Sequence, residues 1–513
     1  MKIKLFLLIS LLYSTFIFAQ IPSIEWQKKY GGTDYDQALD VKQTNDGGYI
    51  LVGSTQSFNG DVSGNHGAND IWVIKLGSNG TLQWQKSIGG TGSEEANSIV
   101  QTTDGGYIIG GWTGSTNGDV VETNGGFDYW VIKLNSIGEI QWQKTYGGTQ
   151  YEYINDIQQT SDGGYIIAGF TSSDNGDIID FHGGSTDCWL IKLDSLGTIQ
   201  WQKTLGGTNS DYATSIQQTT DGGYIVAGYT YSNDWDVTFN HGLNDYWVIK
   251  LNSLGNIQWQ KTYGGTSNDQ ASCIRQTADG GYIVTGNTES NNGDITGFHG
   301  SMDFWIVKLN SIGTIQWQKA LGGSNYDEAY NIELANNGEY ILTGRVASTN
   351  WNVTGNHGGF DFWVVKLTNS GNIKWQKTLG GSQYDQSYRV QQTNDGGYIV
   401  VGWSASIDGD TTNSNSQGSA DVWVVKLATD NLATQDFTAK KTFIVYPNPA
   451  HDVLNIQTTN NIDKIMVTDL SGKKLQEEND NFKQINLQSL QNGIYMLQII
   501  SDGEITSKRI IKK

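Results

Sequence analysis

Acidic residues recur at two fixed positions along this chain, and histidine recurs near the second. One acid of each copy, here called the crossover acid, belongs to the set Asp36, Glu94, Glu152, Asp211, Asp269, Asp327 and Asp385. The other, here called the loop aspartate, belongs to the set Asp70, Asp128, Asp187, Asp245, Asp303, Asp361 and Asp421. Five copies also carry a histidine before the loop aspartate, at His66, His182, His241, His299 and His357.

These acids allow two interpretations. Oxygen-rich loops suit Ca²⁺, but Asp side chains in turns also bond nearby backbone groups. The spacing does not match an EF-hand loop, and a feature present in every copy describes the repeat rather than one binding site. We therefore expect a capping role and no metal site.

Positions at which the copies differ are better candidates for a binding site. Where the first copy has Gly60, two others have Trp235 and Trp351. After a recurrent glycine the copies read Ser54, Trp112, Phe170, Tyr229, Asn287, Arg345 and Trp403. Exposed aromatic faces beside Asp and Asn suit stacking on sugars or gripping a peptide. The alternatives are packing between copies for the second set and folding back onto their own loops for the tryptophans. The candidate ligand-binding residues are Trp235, Trp351, Arg345, Trp112 and Trp403.

The elements that must position these residues follow from a repeat of about 58 residues. In the copy 147–203, two short apolar runs flank Ser161-Asp162-Gly163-Gly164, and two more flank Asp194-Ser195-Leu196-Gly197. Within the second pair Trp189, Ile191 and Leu193 alternate with residues of the other face. Each copy is therefore predicted to form four antiparallel strands, with the long loop and the crossover to the next copy on one face.

The ends of the repeat region are complementary. Trp26-Gln27-Lys28 precedes any complete copy, whereas the last Trp423-Val424-Val425-Lys426-Leu427 lacks a following Trp-Gln-Lys. We predict that residues 23–29 supply the missing strand of the last sheet. With these features the chain resembles seven-bladed β-propellers, which leave only short, protected sheet edges. Residues 130–142 also resemble the repeat of quinoprotein propellers, but those typically have eight blades, so no cofactor is expected.

Composition narrows the class of partner. The chain has 65 Gly among 513 residues and a formal net charge of -20. Glycine-rich turns between short apolar runs indicate an all-β protein, and the negative charge disfavours nucleic acid. Lys2 and Lys4 followed by an apolar stretch to Ala19 indicate a secretory signal peptide at residues 1–19. No other segment is long and apolar enough to cross a bilayer, so the mature chain is expected to have no transmembrane segment.

The end of the chain differs in pattern from the repeats. After a polar linker at 428–441, Tyr446-Pro447-Asn448-Pro449, Val467-Thr468-Asp469-Leu470-Ser471-Gly472-Lys473 and a basic end at 508–513 indicate a small β-sandwich. Residues 442–513 resemble the C-terminal sorting domain of the type IX secretion system of Bacteroidetes. The resemblance implies passage through the periplasm, recognition by the secretion machinery, and secretion or attachment to the outer cell surface. An ordinary carbohydrate-binding sandwich is the alternative.

The predicted organisation is thus all-β: a signal peptide at 1–19, a seven-bladed β-propeller at 20–427 closed by its N-terminal strand, a linker at 428–441 and a β-sandwich sorting domain at 442–513. No catalytic motif is recognisable. We expect a non-enzymatic propeller that binds a glycan or protein through its loop face. The alternative is a secreted polysaccharide hydrolase or lyase whose paired carboxylates lie among the acids.

Overall fold

The computed structural model describes residues 21–413, 419–430, 444–457, 462–469, 473–478, 483–501 and 504–513. The predicted signal peptide at 1–19 lies outside these residues. The chain divides into two compact units, residues 1–432 and 433–513. No described helix is long and apolar enough to cross a membrane.

The described residues of the first unit form seven four-stranded antiparallel sheets. The first strand, β1, is Ile24–Tyr30. The complete copies are sheet one, β2–β5 (Asp36–Gln43, Tyr49–Thr55, Asp70–Leu76, Leu82–Ile88); sheet two, β6–β9 (Glu94–Gln101, Tyr107–Thr113, Asp128–Leu134, Ile140–Tyr146); sheet three, β10–β13 (Glu152–Gln159, Tyr165–Thr171, Asp187–Leu193, Ile199–Leu205); sheet four, β14–β17 (Asp211–Gln218, Tyr224–Thr230, Asp245–Leu251, Ile257–Tyr263); sheet five, β18–β21 (Asp269–Gln276, Tyr282–Thr288, Asp303–Leu309, Ile315–Leu321); and sheet six, β22–β25 (Asp327–Leu334, Tyr340–Val346, Asp361–Leu367, Ile373–Leu379). Sheet seven contains β26–β28 (Asp385–Gln392, Tyr398–Ser404, Asp421–Leu427). Short 3₁₀ turns lie at Asn336–Gly338 and Gly409–Asn413.

Each strand has the burial that its residues dictate. The third strand of every sheet, such as Asp128–Leu134, is buried along its whole length because neighbouring sheets cover both its faces. Its tryptophan is anchored at the polar end of the indole: in sheet one, Trp72 Nε1 donates a hydrogen bond to Gln85 Oε1 at 2.8 Å. Apolar side chains of adjacent sheets form shared cores, for example Tyr246 and Val248 of sheet four with Trp305 of sheet five.

The missing strand of sheet seven is supplied as predicted. β1 pairs antiparallel with β28, with Lys29 opposite Trp423, and Trp423 Nε1 donates to Gln27 Oε1 at 2.9 Å. Sheet seven also packs on sheet one. The backbone N–H of Asn394 donates to Gln43 Oε1 at 2.8 Å, the same bond by which Asn45 reaches Gln101 between sheets one and two.

The residues after β28 complete sheet six. In the other six sheets a lysine of the third strand pairs with the aspartate of the turn after the first strand, as Lys75 does with Asp46 at 2.9 Å. Sheet six has Asn337 at that aspartate position. Lys366 instead pairs with Asp430 at 2.8 Å and with Glu339 at 2.9 Å. The first residues of the predicted linker 428–441 thus pack on the propeller, and residues 431–441 lie outside the described ones.

Asp430 also accepts two further hydrogen bonds. Its Oδ2 accepts from Trp375 Nε1 at 3.0 Å, and its Oδ1 accepts from the Tyr398 hydroxyl at 3.0 Å. Trp375 belongs to sheet six and Tyr398 to sheet seven. Asp430 therefore links the two sheets at the point where the repeat region ends.

In the second unit, the residues that the structure describes form two sheets that share one core. One has the order β29 (Ile444–Tyr446), β30 (Val453–Gln457), β33 (Gln484–Asn486). The other has the order β32 (Lys474–Glu478), β31 (Lys464–Thr468), β34 (Gly493–Ser501), β35 (Glu504–Lys512). Leu454 and Ile485 of the first sheet join Ile465 and Leu497 of the second in a buried cluster. The unit has the two packed β-layers expected of a small sandwich.

Candidate functional site

The crossover acids hold the loop face together. All seven are fully buried. Asp36 accepts hydrogen bonds from the Gly32 backbone N–H and from the Ser57 hydroxyl, both at 2.8 Å, and from the Thr55 hydroxyl. Gly32 lies in the crossover, while Ser57 begins the long loop. Asp36 therefore fastens these two segments to each other, and the burial of all seven crossover acids keeps them from a large ligand.

The loop aspartates fix the end of the long loop. They too are fully buried. In sheet one, Asp70 Oδ2 accepts a hydrogen bond from the His66 backbone N–H at 3.0 Å and lies 2.8 Å from His66 Nδ1. Asn124 fills the place of the histidine in sheet two and donates its N–H to Asp128. Among the described residues, no three His, Cys, Asp or Glu side chains are arranged to hold a metal ion.

The two buried acids of each sheet junction repel one another. At Gly89, a Cβ would lie 2.6 Å from Glu94 Oε2 and 2.7 Å from Asp70 Oδ1, so only a glycine fits between these carboxylates. Burial, with a smaller contribution from neighbouring carboxylates, raises the pKa of Asp128, Asp187, Asp303 and Asp361 among the loop aspartates to about 6. Burial likewise raises the pKa of the crossover acid Asp269 to about 6. The junctions are thus sensitive to mildly acidic pH.

Trp235 and Trp351 project from the loop face. They are 70% and 71% exposed, the two most exposed tryptophans among the described residues. Their φ angles are 53° and 58°, in the left-handed region, where the other five sheets have Gly60, Gly118, Gly176, Gly293 and Gly409 at 61° to 71°. A bulky residue in this region is a conformational outlier. Both tryptophans thus occupy a backbone position suited to glycine.

Each of these tryptophans packs against the histidine of the preceding sheet. The ring centroids of Trp235 and His182 are 5.3 Å apart, and those of Trp351 and His299 are 5.0 Å apart. The side chains of His182 and His299 are 14% and 18% exposed, against 27–40% for His66, His241 and His357. The indole therefore covers one part of the imidazole. Beside His299, a cavity of about 420 Å³ is lined also by Thr296, Gln318, Lys319 and Asn352.

Trp112, Arg345 and Trp403 lie elsewhere, in the layer between sheets, and are half-buried. Trp112 packs edge-on against Tyr153 of the next sheet, with centroids 5.2 Å apart. Arg345 forms an ion pair with Glu328 at 2.5 Å and lies over the Phe360 ring. Trp403 packs against Tyr35 of sheet one. These three thus have partners within the protein, and the structure does not bring them to Trp235 or Trp351.

The axis of the propeller contains two further cavities. One, of about 220 Å³, is lined by residues from all seven sheets, among them Leu39, Tyr330 and Tyr388. The other, of about 260 Å³, contains Asp40, Arg275 and Glu333. Within it, Arg275 lies 2.6 Å from Glu333, and Asp40 lies 2.8 Å from Lys42.

Sequence reasoning missed the roles of His182 and His299 as partners of the tryptophans. Both belong to the five recurrent histidines, but the sequence pattern does not distinguish these two from the other three. A signal was available in the triplets Asp234-Trp235-Asp236 and Asn350-Trp351-Asn352, which replace Asn59-Gly60-Asp61. A glycine lost from a tight turn indicates local strain, which marks these two sheets as different.

Comparison with known proteins bears first on the C-terminal unit. Residues 444–513 match the family described as secretion system C-terminal sorting domain. The C-terminal unit is a type IX secretion sorting domain. A type IX sorting domain implies handling by the type IX machinery and export to the cell surface or secretion.

The other similarities to known proteins are remote. Over an alignment of 232 residues the chain is 23% identical to regulatory protein FlaEY of Caulobacter vibrioides; the alignment covers 42% of this chain and only 24% of that protein. PorZ, a surface component of the type IX secretion system of Porphyromonas gingivalis, is 11% identical with a TM-score of 0.38; the match covers 94% of this chain and 60% of PorZ. Sqt1 from Chaetomium thermophilum is 11% identical with a TM-score of 0.40, covering 80% of this chain and all of Sqt1.

Proposed function

We propose that this protein enters the periplasm by its signal peptide, is exported by the type IX machinery, and binds a glycan or protein ligand through Trp235 and Trp351 without chemical turnover. The observation that carries the proposal is the pair of exposed indoles at positions suited to glycine. A bulky side chain in the left-handed region costs about 1–3 kcal/mol. Strain of this kind at an exposed aromatic side chain is characteristic of functional sites.

The surroundings of the two indoles support recognition of a ligand. Aromatic rings supply a large, rigid contact area at a small entropic cost, and aromatic residues are enriched among binding hot spots. The histidine beside each indole is held by its loop aspartate, so the site is largely pre-formed. Trp112, Arg345 and Trp403 stay secondary candidates, because each would have to be partly released from its present packing.

The test is a glycan array, and a panel of secreted and surface proteins, probed with purified mature protein. The variant Trp235→Ala/Trp351→Ala should lose binding to whichever ligand the parent retains. Phe58→Ala is the matched control, since Phe58 lies two residues before Gly60 on the same kind of loop and is 64% exposed. Unchanged binding by the double variant would refute the proposal.

The same samples test the hydrolase or lyase alternative. Polysaccharides that bind should be incubated with the protein and then analysed for chain length. Binding without new ends supports a binding protein. Chain shortening that disappears on replacing one loop-face acid supports the enzyme.

Export is tested separately, by deleting residues 442–513. The shortened chain should stay in the periplasm, whereas the full chain reaches the cell surface or the medium. Equal export of both forms would contradict handling through the sorting domain.

A further inference from the structure

The sites at Trp235 and Trp351 are two copies of one construction. Each has an indole in a left-handed backbone position and a histidine of the preceding sheet at about the same distance. In both, the histidine Nδ1 faces the buried loop aspartate of its own sheet, at 3.2 Å for His182 and 3.1 Å for His299. Nε2 is therefore the imidazole nitrogen that does not face the loop aspartate, and in His182 it lies within 3.7 Å of Asp236 Oδ2. Sheet five, which lies between them in the order of the fold, has Gly293 instead of tryptophan.

The charges around the two indoles differ. Trp235 stands between Asp234 and Asp236, and Asp236 Oδ2 lies 3.7 Å from His182 Nε2. Trp351 stands between the amides Asn350 and Asn352, and Lys319 lines the neighbouring cavity. An anionic ligand would be repelled at the first site, while a cationic ligand would gain nothing from the amides at the second. What both sites offer is a flat apolar face with hydrogen-bonding groups around it.

This combination fits the ring of a neutral sugar. The C–H groups of a pyranose can lie on an indole face, and its hydroxyls both donate and accept, as carboxylate, amide and imidazole partners require. Two equivalent sites separated by a sheet that lacks one cannot be occupied by a single small sugar. A chain with a repeating unit can occupy both, and linkage of the two binding events raises affinity without any new contact.

We propose that the loop face binds one neutral polysaccharide chain at two places, through Trp235 with His182 and through Trp351 with His299. This inference rests on the proposed ligand-binding function and specifies its ligand. Titration with polysaccharides and with their tetrasaccharides distinguishes a failure of this inference from a failure of the proposed binding function.

Calorimetric titration of the mature protein should use a mannan, a β-glucan and a xylan, each with its tetrasaccharide, and alginate as an anionic control. For the polymer that binds, we expect two tetrasaccharides per protein. Trp235→Ala and Trp351→Ala should each reduce this number to one. Each single change should also weaken binding of the polymer by about 100-fold, the lower end of the usual gain from linkage. Phe58→Ala should leave both measurements as in the parent.

One tetrasaccharide per parent protein, or a polymer affinity equal to that of the tetrasaccharide, would overturn the two-site inference while leaving the binding function intact. Tighter binding of alginate than of the neutral chains would overturn the assignment of a neutral ligand. Binding of a protein alone, lost in the double tryptophan variant, would reject the polysaccharide but support the proposed function. Ligand binding that survives in the double variant would reject both.

Discussion

Glycine at positions 235 and 351 should give a more stable protein than alanine, which is the reverse of the usual order. Both replacements remove the indole, so they lose the same packing on the histidine, and they differ only in the Cβ atom. In the left-handed region a Cβ costs about 1–2 kcal/mol. Glycine loses about 0.4–1 kcal/mol through the greater freedom of the unfolded chain. The difference favours glycine by about 0.5–1 kcal/mol at each position.

The surroundings of the equivalent glycines support this sign. A Cβ at Gly118, Gly176 or Gly293 would lie 2.2–2.3 Å from the carbonyl oxygen of the preceding crossover. In the tryptophan sheets the N–H of the next residue is slightly displaced from that carbonyl. The distance is 3.1 Å for Asp236 and 3.2 Å for Asn352, whereas the corresponding distances in the glycine sheets are 2.9–3.0 Å. Alanine would keep this displacement, and glycine would relieve it.

The assay is differential scanning calorimetry of Trp235→Gly/Trp351→Gly against Trp235→Ala/Trp351→Ala. For a unit of roughly 400 residues, 1 kcal/mol corresponds to about 1 °C in Tm, so we expect the glycine pair to melt about 1–2 °C higher. Gly293→Ala in sheet five is the reverse control and should lower Tm. Equal or higher Tm of the alanine pair would refute the reasoning that the two tryptophans are held in a strained backbone.

Two further predictions concern the junctions between sheets. Asp430→Ala should lower Tm by about 2 °C, because Lys366, Trp375 and Tyr398 lose a buried partner worth about 2 kcal/mol in total. Asp174→Ala, at an exposed position, is the control. An unchanged Tm of the Asp430→Ala variant would contradict the role of Asp430. Stability should also rise as pH falls from 7.5 towards about 5. Acids whose folded pKa is raised to about 6 stabilise the fold below their unfolded pKa, and this contribution is lost as pH rises through 6. Below about pH 4 stability should fall again. Burial raises the pKa of Asp46, but hydrogen bonds from Thr44 and Lys75 lower it more strongly, to about 2. Calorimetry from pH 3 to pH 8 measures the changes in stability on both sides of the maximum, and a Tm that rises steadily from pH 5 to pH 8 would contradict the raised pKa values.

Much of this architecture could be predicted from the sequence because the same strand pattern recurs in all seven copies of the repeat. Alternation of side chains in residues 188–193 predicted the strand Asp187–Leu193, and the unmatched Trp26 and Trp423 predicted the pairing of β1 with β28. The sorting domain was predictable for a different reason, since its motifs occur in a fixed order. Local sequence pattern and family resemblance therefore predict the sheets and their order along the chain.

The details of the site depend on contacts that leave no periodic trace. His182 and Trp235 belong to different sheets, and no local pattern connects them. Asp430 compensates for Asn337 from beyond the last strand, in a stretch that reads as polar linker. The full burial of the crossover acids could not be predicted either, because the residue type is the same for an acid that caps a buried loop and for an acid exposed to a ligand.

The seam at β1 and β28 has a mechanical consequence. Ile24 at the start of β1 is opposite Leu427 at the end of β28, so a pull on the two chain ends would separate their hydrogen bonds one after another rather than all at once. Tension that enters from the C-terminal side meets Asp430 before it reaches this ladder. The bonds of Asp430 to Lys366, Trp375 and Tyr398 carry such a load into sheets six and seven. A tether attached beyond residue 430 therefore loads the bonds of Asp430 before it loads the hydrogen bonds between β1 and β28.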